Sequence, residues 1–131
     1  MLGSKKSIQI TLAIISIMAA FHLCIITKLI PYNITWGGRL KNDQEMYVFE
    51  IISIMINLFL IAILLMKGKY LKVQFNEKVI NIILWIFFFI FILNTIGNLL
   101  AKTTFENIFT AITLILAILL WNILNKKPAN N

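Results

Sequence analysis

Four long apolar runs, each interrupted by a short polar or basic stretch, set the pattern of this chain. They cover about 8–30, 47–66, 79–101 and 105–124. Pro31 ends the first, Lys67-Gly68-Lys69 the second, and Asn125-Lys126-Lys127-Pro128 the fourth. Each run holds about 20 residues or more, enough at a rise of about 1.5 Å per residue to cross a hydrocarbon layer about 30 Å thick. Abundant Ile does not argue for strands, because an unpaired strand in lipid leaves its backbone groups unsatisfied. The pattern predicts an all-α, four-helix transmembrane bundle in a single domain, 1–131. The connections are short, so the helices are expected to pack in sequence order. Lys5 and Lys6 precede the first run, but that run is too long for a cleaved signal and reads as a span.

Composition agrees with a lipid environment. Of 131 residues, 60% are hydrophobic and 13% charged. A soluble domain averages about a quarter charged. The net charge of +7 comes from lysines that punctuate the apolar runs. That placement suits anionic headgroups and not nucleic acid. Lys5, Lys6, Lys67, Lys69, Lys72, Lys78, Lys126 and Lys127 fall on one side; Lys28, Arg39, Lys41 and Lys102 fall on the other. The richer side is expected to be cytoplasmic. Both termini then lie in the cytoplasm of a multi-pass protein of the cell membrane. The loop 31–46 is outside, and the basic loop 67–78 lies on cytoplasmic headgroups.

Polar residues inside the spans carry the most information, because lipid makes them costly. Glu50, Ser53 and Asn57 are spaced i, i+3, i+7 and share one stripe of the second span. His22 lies in the outer half of the first span, and Asn94 and Asn98 in the outer half of the third. Thr110 and Thr113 lie in the outer half of the fourth. Depth alone therefore groups His22, Glu50, Ser53, Asn57, Asn94 and Asn98 as a candidate buried polar cluster. The burial of Glu50 would be relieved by His22, by Arg39, or by the carboxyl group staying protonated. Hydrogen bonding between packed helices is the structural alternative for the whole set.

The outer loop supplies a candidate cap over this cluster. Trp36 suits the interface, Gly37-Gly38 permits a tight turn, and Arg39 offers a planar cation. Asp43 is expected to cap the second helix. The single cysteine, Cys24, excludes an internal disulfide, and the single histidine excludes a histidine-rich metal site. No cofactor or metal is implied.

In size and span count the chain resembles small multidrug-resistance transporters, but its first span lacks the acidic residue those proteins carry there. It is similar in size to fluoride channels without their glycine-rich arginine motif. It lacks the paired cysteines of the vitamin K epoxide reductase family. The DoxX-like plan of a long first outer connection and an acidic residue opening the second span is similar, but Ile51 to Leu65 contains no glycine. These residues assign no family.

Three functions remain open. The first is a non-catalytic membrane module that binds a partner protein or lipid through its outer-leaflet face. The second is a transporter or channel subunit with Glu50 as a proton or cation site. The third is an intramembrane acid–base enzyme using Glu50 and His22 on a lipid-like substrate. A homodimer or a larger membrane complex is compatible with each.

Overall fold

The computed structural model describes residues 4–31, 41–100 and 104–125. Among them all regular structure is helical: α1 (Ser4–Ile26), α2 (Asp43–Lys67), α3 (Glu77–Leu99) and α4 (Thr104–Asn125). All four are long and apolar enough to cross a membrane.

Local chemistry sets the helix ends. Asn42, not Asp43, caps α2. Its extended backbone (φ −155°) presents a side-chain oxygen that accepts from the Glu45 N–H at 2.9 Å. The Glu45 carboxylate in turn accepts from the Lys41 N–H at 2.7 Å. Asp43 becomes the first helical residue, and its carboxylate pairs with Lys28. Asn76 caps α3 in a similar way, accepting from the Lys78 N–H at 2.8 Å.

α1 ends at Ile26, before the boundary at residue 30 that Pro31 suggests. Lys28 turns left-handed (φ 65°), and the Leu29 N–H reaches back to the Cys24 carbonyl at 2.9 Å. α2 ends by the same device. Lys69 is left-handed (φ 65°), and the Tyr70 N–H bonds the Leu65 carbonyl at 2.8 Å. This closing motif usually places glycine at the left-handed position. Gly68 sits one residue earlier for another reason. A Cβ there would fall 2.6 Å from the Tyr70 ring, which folds back over it. Tyr70 thereby reaches α1: its hydroxyl accepts from Gln9 Nε2 at 3.0 Å, and Lys5 Nζ lies 5.8 Å from its ring centre.

The helices form an antiparallel ring in which each packs chiefly against its two neighbours, α1 on α2 and α4, α3 on α2 and α4. One end of the ring, the basic end, holds the start of α1 and the end of α2. The opposite, far end holds the α1–α2 connection. Two apolar cores follow. The larger takes residues from all four helices, including Ile8, Leu64, Leu84 and Leu120. The smaller lies at the far end, where Ile25 and Met46 pack with Phe21, Ile26 and Ile30. Among the described residues it is built from α1, α2 and the turn after α1, with Phe21 also reaching Phe109 of α4. The α2–α3 seam is the sparsest of the four. Consistent with this, no residue of 51–59 in α2 is fully buried.

A left-handed lysine is strained by about 1 kcal/mol or more relative to glycine. Its ion pair with Glu77, at 3.8 Å and largely exposed, offsets little of that. Lys69→Gly is therefore expected to raise stability by about 1 kcal/mol, and Gly68→Ala to lower it. Unfolding in mixed detergent micelles with increasing sodium dodecyl sulfate checks both.

Candidate functional site

Each seam of the ring carries its own polar clasp. Between α1 and α2, His22 Nδ1 lies 2.9 Å from Glu50 Oε2 and 3.2 Å from Oε1. Between α2 and α3, Lys67 Nζ donates to Glu77 Oε1 at 2.8 Å and to Asn81 Oδ1 at 2.7 Å. Between α3 and α4, the hydroxyls of Thr95 and Thr113 bond at 2.8 Å. Between α4 and α1, Asn122 Nδ2 donates to the Ser7 hydroxyl.

The His22–Glu50 clasp is the most demanding of these. Glu50 has no exposed surface, while the His22 side chain is 17% exposed. Both follow from sequence position. Glu50 lies two turns into α2 on the face that also presents Met46 to α1. His22 lies one turn before the end of α1, next to Phe21, which packs on Phe109 of α4 at 5.2 Å. The aromatic contact closes one flank of the pair. The apolar group of Ile25 and Met46 borders it towards the far end. A carboxyl group placed there is stable because the imidazole satisfies it.

The remaining residues singled out by depth are placed differently. Ser53 bonds back to the Phe49 carbonyl at 2.8 Å, within its own helix. Asn57 is half-buried, and its Nδ2 is buried with no hydrogen-bond partner. Asn94 is exposed on α3 and Asn98 half-buried. No hydrogen bond joins either of them to His22 or Glu50. Trp36, Gly37, Gly38 and Arg39 lie outside the described residues, as does any cap they form.

Several working polar groups are not evident from depth alone. Ser7, Thr95 and Asn122 are buried, and Lys67 is only 9% exposed at its side chain. Asn122 follows the apolar stretch 114–121, and that is its available signal, whereas Thr95 directly follows Asn94 and nothing in the sequence separates the two roles. Among the described residues, no three His, Cys, Asp or Glu side chains converge as a metal site would need. A shallow groove of about 270 Å³ runs along the start of α2, lined by Asn42, Gln44, Glu45, Val48 and Phe49. None of the candidate polar residues borders it.

The clasp has a definite energetic signature. His22→Ala leaves a buried carboxyl group without its partner and is expected to cost about 3 kcal/mol. Glu50→Gln keeps a hydrogen-bonding partner for the ring and should cost about 1 kcal/mol or less. Replacing both residues with Leu should recover most of the His22→Ala loss. Detergent unfolding of the three variants checks the order.

No protein-family model matches this chain, nor does any curated protein or solved structure.

Proposed function

We propose that this chain is a small multi-pass protein of the cell membrane that acts by binding a lipid or protein partner on its outer-leaflet face, without catalysis. In this reading the basic end is cytoplasmic, with both termini inside and lysines against anionic headgroups. The observation that carries the proposal is the spending of polar side chains on helix seams. His22, Glu50, Lys67, Thr95, Thr113, Asn122 and Ser7 each hold one helix to the next. A reaction centre instead needs several polar groups converging where a substrate fits. Glu50 has no exposed surface, so a lipid-like substrate does not meet the acid of an acid–base pair. The binding surface in this reading is the far half of α2. There Tyr47, Val48, Ile51, Ile52 and Met55 are all exposed beside the sparsest seam.

One observation favours a second reading. A fully buried carboxyl group against an imidazole is also what a proton or cation site of a transporter or channel subunit requires. Reconstitution into vesicles separates the two. A binding module gives no proton or potassium flux above that of protein-free vesicles. Photo-crosslinkers at Tyr47 and Ile51 then label a discrete lipid or protein in native membranes, and Glu50→Gln leaves the labelling in place. A flux that Glu50→Gln abolishes overturns the binding reading.

Orientation has its own check. A fluorescent-protein fusion after Asn131 should be bright and an alkaline phosphatase fusion at the same point inactive. The reverse pattern places the basic end outside.

A further inference from the structure

Asn94 is exposed on α3, about 8 Å along the axis before the helix ends at Leu99. On the membrane reading it lies within the hydrocarbon and not at its edge. The side chain carries two donors and an acceptor. It makes no hydrogen bond to any described residue. Unlike the long Lys28 side chain, a short amide does not snorkel to water from that depth. An amide left against lipid tails is costly, and the usual remedy is another helix.

The surroundings of Asn94 suit a helix. Ile90 and Leu93 beside it are 39% and 67% exposed. Gly97, one turn on, is exposed, and a Cβ built there meets nothing within 4 Å. Leu100 continues the face at 79% exposed. Ile86, Ile90, Leu93, Gly97 and Leu100 are spaced 4, 3, 4, 3, the spacing of a helix–helix seam. The glycine lets two backbones approach closely next to the amide.

Symmetry selects the occupant. Two copies inserted with the same topology are related by an axis along the membrane normal. Any residue near that axis then meets its own counterpart at the same depth. Aspartate or lysine in that position would be repelled by its counterpart. An amide is self-complementary, with the donor of one copy facing the acceptor of the other. We propose that α3 pairs with α3 of a second copy of this chain, Asn94 bonding to Asn94 and Gly97 packing on Gly97. The proposal depends on membrane insertion but not on the role of Glu50.

Cysteine crosslinking in native membranes tests it. Cys24→Ala first removes the native thiol. On that background Gly97→Cys should give an oxidised dimer in high yield, since a close glycine contact brings the two backbones within disulfide range. Met55→Cys, on the exposed face of α2, serves as the control and should give little. Adding Asn94→Leu should weaken the dimer by about threefold to thirtyfold, the range for one interhelical amide pair in a bilayer. Because Asn94 is exposed, that change leaves the monomer's packing intact, which detergent unfolding of the same variant confirms. Two results overturn the proposal: Gly97→Cys crosslinking no better than Met55→Cys, or Asn94→Leu leaving the dimer yield unchanged. A binding function on α2 survives either result, so failure here is distinguishable from failure of the functional reading.

Discussion

Hydrocarbon offers no hydrogen bonds, so a polar side chain on a spanning helix needs a partner on its own helix or on a neighbouring one. Four helices long and apolar enough to cross a membrane place this chain under that constraint. Among the described residues, each of the four seams carries a polar clasp of distinct chemistry: an imidazole with a carboxyl group, an ammonium with a carboxylate and an amide, two hydroxyls, and an amide with a hydroxyl. Each clasp is modest on its own, since an interhelical hydrogen bond averages about 0.6 kcal/mol. Their value lies in register. Apolar helices slide against one another at little cost, and a buried carboxyl group that needs one imidazole does not.

Apolar packing divides the molecule in a way the clasps do not. Towards the basic end, four helices share a core built on Ile8, Leu64, Leu84 and Leu120. Towards the far end, α2 keeps α1 as its partner through Ile25 and Met46, and its stretch 51–59 has no fully buried residue. The clasp of the α2–α3 seam, Lys67 with Glu77 and Asn81, also lies at the basic end. The stretch of α2 with no fully buried residue thus follows directly on the buried acid Glu50 and includes Asn57, whose buried Nδ2 has no hydrogen-bond partner.

Much of this was legible in the residues. Run length and lipid's demand on the backbone give four helices, and their ends fall within a few residues of the apolar boundaries. The exception is α1, where Pro31 marks a stop but Lys28 makes the turn three residues sooner. The approach of His22 to Glu50 follows from counting depth on two consecutive antiparallel spans. Depth carries no information about direction around the helix axis. Asn94 shares the depth of the cluster yet is exposed. Thr95, its neighbour in sequence, is turned by about 100° and reaches Thr113. Long-range partners are harder still. Asn122 and Ser7 are 115 positions apart, and no local pattern links them.

That same separation orders the assembly of the chain. Three clasps join residues at most 28 positions apart on consecutive helices, so each becomes available as soon as its second helix has formed beside the first. Ser7 must instead wait for Asn122, near the end of the last span, before its hydroxyl is satisfied. Contacts of such separation form late. Until then, the first helix carries an open polar position that the last helix alone fills. The α1–α4 seam is therefore the latch that turns three staged hairpin contacts into a closed ring.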